Sequence, residues 1–295
     1  MEEIDFIALD VETANPDYSS VCQIGIIAYA NGLVVHQWTS LVNPQDYFYP
    51  PNVQVHGIDA NMVQDSPTYP QVLPIVQSWL NRQIVVCHTP FDKIALKQVH
   101  EKYRLPLLQC QWLDTAKVTR RAWPQFSQSG YRIANVTEFL GIKFNHHDAL
   151  EDARAAGEVL LHAVQETGIA VVDWLRRAEQ PISQRSQYSV KATWDGNEDG
   201  PLFGEVLVFT GELSISRSQA ANRAASAGCA VAANVTKKTT ILVVGNQDMR
   251  KLVGHEKSSK HRRAEELIID GQEIRIVSES DFLVLTESVQ QHKTL

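Results

Sequence analysis

Residues 6–13, Phe-Ile-Ala-Leu-Asp-Val-Glu-Thr, constrain the fold more than any other stretch of the chain. The apolar run at 6–9 predicts a buried strand. Asp10 and Glu12 follow two residues apart, so a strand carries both on one side. Two carboxylates held together repel, and burial raises the cost. A divalent cation removes both penalties. Mg²⁺ and Mn²⁺ accept such oxygen ligands and leave positions for water and phosphate. A solvated strand end would carry the same acids without a metal, so the rest of the chain has to supply further ligands.

The 295 residues are enough for two domains. No apolar run reaches the length of a membrane span, and the acidic start Met-Glu-Glu-Ile-Asp is unlike a signal peptide. The four cysteines (Cys22, Cys87, Cys110, Cys229) are scattered without a CxxC pair. They read as reduced thiols, and a cytoplasmic location is expected. The net charge of −7 argues against a generally basic binder. Bound metal reverses a local field, so acidity does not exclude a nuclease. Residues 237–263 nevertheless hold eight Lys/Arg against two acids, a candidate phosphate surface or a solvated loop.

Three strands are expected first, over 4–10, 23–29 and 34–42, the last two joined by a hairpin turn at Asn31-Gly32. A loop to Pro51 precedes His56-Gly57-Ile58, which stands before a short polar helix. Helical spacing follows over 67–82, then a buried strand over 84–87. His88-Thr89-Pro90-Phe91-Asp92 leads into a helix, with Asp92 in its first turn, where a carboxylate is favoured in any case. A strand over 109–113 leads to a helix ending at Arg120, Arg121 and Trp123, three side chains placed to face a polynucleotide. A helix over 131–140 closes on Gly141. The segment 146–153, His-His-Asp-Ala-Leu-Glu-Asp-Ala, then opens a long helix to about residue 166. A helical turn brings His147 and Asp152 together, the one to take a proton and the other to bind metal. His146 reads as an exposed loop residue.

These three motifs, in this order, resemble the DEDDh 3′–5′ exonucleases of the polymerase III proofreading type, over roughly residues 4–170. The resemblance implies a ribonuclease-H-like mixed sheet with flanking helices. It also implies hydrolysis of phosphodiester bonds by two Mg²⁺ or Mn²⁺ ions, held by Asp10, Glu12, Asp92 and Asp152, with His147 as the general base. Thr13 and His56 fall where substrate is bound. DNA with a free 3′ end is the expected partner, and a bacterial member would be nucleoid-associated. An RNA exonuclease, or an inactive DNA-end-binding scaffold, is the alternative. Thr89-Pro90 stands where the second motif usually carries an Asn, a departure that bears on substrate preference and rate more than on reaction type.

Residues 179–201 are polar and read as a linker between domains at 1–178 and 202–295. Beyond it, strands alternate with helices, predicting a small parallel sheet. Val208-Phe209-Thr210-Gly211, the Ser-Arg-Ser-Gln-Ala run at 216–220, the 235–240 turn and the 259–267 helix resemble a BRCT domain. That resemblance implies a DNA 5′-phosphate site at Thr210, Gly211, Arg217 and Lys260, or contacts to a polymerase or repair protein.

Overall fold

The computed structural model describes residues 4–127, 130–182, 196–246 and 257–286. The chain forms two compact units, Met1–Ile182 and Ser183–Leu295.

In the first unit a five-stranded mixed sheet runs in the order β3-β2-β1-β4-β5. Its strands are β1 (Phe6–Thr13), β2 (Val21–Ala30), β3 (Leu33–Leu41), β4 (Ile84–Cys87) and β5 (Gln111–Asp114). The first three pair antiparallel and β4 and β5 add in parallel. The β2–β3 turn places Asn31 and Gly32 at φ of 52° and 75°, the doubly left-handed turn that Asn-Gly favours.

Helix α6 (Ala149–Thr167) lies on one face of this sheet. Its Ala153, Leu160 and Ala163 pack with Phe6, Ala8, Ile27 and Tyr29 in one buried cluster. A Cβ on Gly157 would meet the Tyr29 ring at 2.5 Å, so only glycine lets the aromatic ring close on the helix. Helix α3 (Phe91–Lys102) follows β4 and contacts β1 and β2.

The remaining helices are α1 (Pro50–His56), α2 (Tyr69–Leu80), α4 (Thr115–Ala122), α5 (Ile133–Leu140) and α7 (Val171–Arg177). Two depart from expectation. The helix near His56 precedes it instead of following it: Pro50 and Pro51 fill the first helical positions, where a missing N–H costs nothing, and Gly57 caps the end at φ 75°. Helix α7 was not expected; it exists because Trp174, fully buried, anchors a segment too short to show periodicity.

Of the three side chains expected to face a polynucleotide, Arg120 and Trp123 are instead buried. Arg120 is 2% exposed and Trp123 6%. The Arg120 guanidinium lies 5.3 Å from the Tyr131 ring centroid, and its Nε donates to the Ser127 carbonyl. Stacking and hydrogen bonding draw this cation inward.

In the second unit the sheet order is β7-β6-β8-β9 and every pairing is parallel. The strands are β6 (Val206–Thr210), β7 (Ala230–Ala232), β8 (Ile241–Val244) and β9 (Arg275–Ser278), with helices α8 (Arg217–Ala227), α9 (Ser259–Ile269) and α10 (Glu279–Leu285). Both ends of the expected linker are bonded within their own unit. Lys117 pairs with Glu179 at 2.7 Å, and Asn197 N donates to the Ala225 carbonyl. Its middle, 183–195, and residues 247–256 of the basic stretch lie outside the described residues.

Candidate metal centre

The centre is built where β1 outruns its parallel neighbour. The pairing of β1 with β4 reaches Ala8 and Val86, after which the strand continues to Thr13. Asp10 lies opposite Gly25 and Glu12 opposite Gln23 on β2. Residues paired across strands point to the same face. Gly25 faces the start of α6, because a Cβ there would lie 2.3 Å from the Ala149 carbonyl. Gln23 faces it too, its Oε1 accepting from Ala149 N at 3.1 Å. Asp10 and Glu12 are thereby turned toward the first turn of α6.

That turn carries Asp152, 6% exposed. Asp148 caps the helix by accepting from Leu150 N and Glu151 N, which fixes where the first turn begins. His147 sits just before it at φ 68°, in the left-handed region that His visits more readily than most residues. Its backbone N–H donates to Asp152 Oδ2 at 2.7 Å. The ligand atoms of Glu12, His147 and Asp152 all lie within 4.8 Å of one another.

Asp92 enters from α3. It is 5% exposed, and its Oδ1 accepts from Val11 N at 3.1 Å, between the two acids of β1. The structure thus gathers Asp10, Glu12, Asp92, His147 and Asp152 around one strand end. Glu12, His147 and Asp152 bring their ligand atoms together, Asp10 shares their strand end, Asp92 and Asp152 are almost wholly buried, and a hard divalent ion would offset such a cluster.

His146, expected as an exposed loop residue, is half-buried. Its Nδ1 lies 2.9 Å from Asp152 Oδ1, and its ring stacks on His147 with centroids 3.9 Å apart. No local pattern signals this, because the carboxylate it meets is six residues on and reaches it only once the loop has folded back.

Thr13 and His56 meet through the backbone. The Thr13 carbonyl accepts from Asn52 Nδ2 at 2.9 Å and lies 3.2 Å from His56 Nε2. His56 Nδ1 accepts from Ile58 N, so the ring is the neutral tautomer with its proton on Nε2. Burial, with a smaller push from nearby His147, lowers the His56 pKa to about 4 against the bond to Thr13. His56 latches α1 to the end of β1 as a neutral donor.

The turn between β4 and α3 has its own ties. His88, 9% exposed, is held at both ring nitrogens, by Thr115 Oγ1 and the Tyr131 carbonyl. Thr89 takes a φ of 78°, which a β-branched residue rarely does.

In the second unit, Thr210 ends β6 with its hydroxyl 2.6 Å from Ser258 Oγ. Gly211 has φ 75°, and a Cβ there would meet the Gly245 carbonyl at 2.6 Å. The Arg217 guanidinium donates to the Gly211 carbonyl and lies over the Phe209 ring. Lys260 Nζ donates to the Phe209 carbonyl at 3.2 Å. Burial lowers the pKa of both cations, and for Lys260 the Arg217 charge adds to it. Two like charges drawn together favour an anion between them.

An exonuclease family model matches residues 7–160. A DNA polymerase III of PolC type from Caldanaerobacter subterraneus subsp. tengcongensis is 29% identical over 177 residues, 58% of this chain and 12% of that protein. A PolC-type polymerase from Thermotoga petrophila is 27% identical over 168 residues, 56% of this chain and 12% of that one. The chain therefore spans a small part of these relatives. Among solved structures, Exonuclease X in complex with 5′ overhanging duplex DNA matches with TM-score 0.46 and 21% identity, over 58% of this chain and 99% of that one. Among the described residues no helix is long and apolar enough to cross a membrane.

Proposed function

Because this chain belongs to the exonuclease family, through residues 7–160, we propose that it is a metal-dependent 3′–5′ exonuclease that shortens DNA from free 3′ ends to nucleoside 5′-monophosphates. The observation that carries the reading is the convergence of Glu12, His147 and Asp152 within 4.8 Å, beside Asp10 and Asp92. Asp10, Glu12, Asp92 and Asp152 hold two Mg²⁺ or Mn²⁺ ions. When bound, these supply an activated water and stabilise the departing 3′ oxygen. His147 takes the proton from the attacking water. Thr13 and His56 shape the wall that receives the terminal nucleotide, and the bonds of Asn52 and His56 to the Thr13 carbonyl keep that wall rigid.

The second unit is proposed to be a BRCT module that binds a DNA 5′-phosphate through Thr210, Gly211, Arg217 and Lys260, or a repair or polymerase partner. Its parallel sheet, and the two cations Arg217 and Lys260 held at the Gly211 and Phe209 carbonyls, support this. Tethering by such a module raises the local concentration of DNA ends without adding catalytic groups. The expected location is the cytoplasm, nucleoid-associated in a bacterium.

The test is incubation with Mn²⁺ and matched 5′-labelled single-stranded DNA and RNA, beside Asp10→Ala and His147→Ala. A stepwise DNA ladder lost in both variants supports the reading. A ladder mainly on RNA makes the protein an exoribonuclease, since the carboxylate set does not read the 2′-hydroxyl. No ladder on either, with DNA ends still bound, makes it a scaffold.

A further inference from the structure

The turn at Thr89 is held by bonds that a metal centre does not by itself require. Thr89 N donates to Asp114 Oδ1 at 2.9 Å, and its carbonyl accepts from Cys87 Sγ at 3.2 Å. The same Asp114 oxygen accepts from Ala116 N at 2.8 Å and so caps α4. One carboxylate oxygen thus does two things: it starts a helix, and it pins a residue at φ 78°. The other polar atoms of the pair, the Thr89 hydroxyl and Asp114 Oδ2, are buried and have no hydrogen-bond partner among the described residues. Two unsatisfied oxygens and a left-handed threonine are a cost that local stability alone does not explain.

The geometry that follows shows where the constraint leads. Pro90, the N-cap of α3 at φ −78°, has its φ fixed by its ring. Relaxation at Thr89 therefore has few backbone angles to take it up before the first turn of α3. Asp92 stands in that turn, with its Oδ1 on Val11 N between Asp10 and Glu12.

We propose that Asp114 is a positioning residue for the metal centre: by holding Thr89 in the left-handed region it sets Asp92 against the end of β1. The inference rests on the metal-binding reading above and goes beyond it, since Asp114 is not among the ligands that reading names. Glycine adopts the left-handed conformation freely. Thr89→Gly should therefore make the tether from Asp114 dispensable, while leaving the cap on α4 dependent on residue 114. A purely structural role for Asp114 would show no such rescue.

The experiment is Mn²⁺ binding to the full chain by titration calorimetry, for wild type, Asp114→Ala, Asp114→Ser, Thr89→Gly and Asp114→Ala with Thr89→Gly. Serine keeps a capping oxygen for α4 on a side chain one bond shorter, so it carries the comparison if the alanine variant does not fold. Asp114→Ala and Asp114→Ser should each weaken Mn²⁺ binding about 10-fold or more, as loss of an outer ligand support does. Adding Thr89→Gly should restore most of that loss. Wild-type affinity in both Asp114 variants, or no recovery in the double variant, overturns the inference and leaves the functional reading intact. A wild-type chain that binds no Mn²⁺ overturns both.

Discussion

Replacing Gly25 by alanine should separate the two halves of the metal centre. Gly25 lies on β2 opposite Asp10. A Cβ there would stand 2.3 Å from the carbonyl carbon and oxygen of Ala149 and 2.4 Å from Leu150 N. Ordinary contact begins at 3.4 Å, so the methyl group is about 1 Å too close, an overlap of the kind that costs roughly 1–3 kcal/mol. The atoms it meets are backbone in the first turn of α6 and cannot rotate aside. The start of the helix must lift instead, and it carries His147 and Asp152 away from Glu12. A displacement of about 1 Å at reacting groups can cost about 10²-fold in rate. We therefore expect Gly25→Ala to fold, to melt several degrees lower, and to lose most Mn²⁺-dependent cleavage of 5′-labelled DNA. Gly141→Ala is the control. It has φ 72° with open space around the added methyl, so it should cost roughly 1–2 kcal/mol and leave cleavage unchanged. A Gly25→Ala protein with the wild-type melting temperature and rate would refute the argument that β2 and α6 are pressed together at this point.

Two further predictions concern titration and thiols. The folded His56 pKa of about 4 lies below its ordinary value of 6.5, so the unfolded chain takes up a proton first as pH falls. The neutral ring should therefore stabilise the fold fully above pH 6.5 and lose about 3 kcal/mol as pH falls to about 4. Urea melts of wild type and His56→Asn between those limits check this, and equal slopes would refute it. Cys22, Cys87 and Cys229 are buried, and burial is the largest cause of their raised thiol pKa values; Cys110, less enclosed, is pushed up to about 11. A disulfide reagent at pH 8 should label the native chain slowly and label all four thiols in denaturant. Rapid native labelling of three or more would contradict the packing described.

The local rules were readable wherever a residue's partner is near it in sequence. Asn31-Gly32 makes its turn, and the strand at 84–87 falls where patterning puts it. The helix near His56 lies before the expected position because Pro50-Pro51, a pair as suited to a loop as to a helix start, begins it. A cation at a helix end usually faces solvent, whereas Arg120 is buried. Its burial depends on Tyr131, eleven residues away, which spacing along α4 does not reveal.

For the candidate site, the sequence by itself determined which acids stand in which order at the ends of which elements. The period of a strand puts Asp10 and Glu12 on one face, and the period of a helix brings Asp152 back toward His147. The tertiary structure alone decided what those acids face and what holds them. Asp92 bonds Val11 N from a distance of 81 residues, and Gln23 reaches Ala149 across 126. His146 closes on Asp152 through a folded loop, and Asp114 holds Thr89 from the next strand. The reason is physical. Periodicity orients side chains within one element, whereas these contacts join elements whose relative placement is fixed by the burial of the sheet face beneath α6.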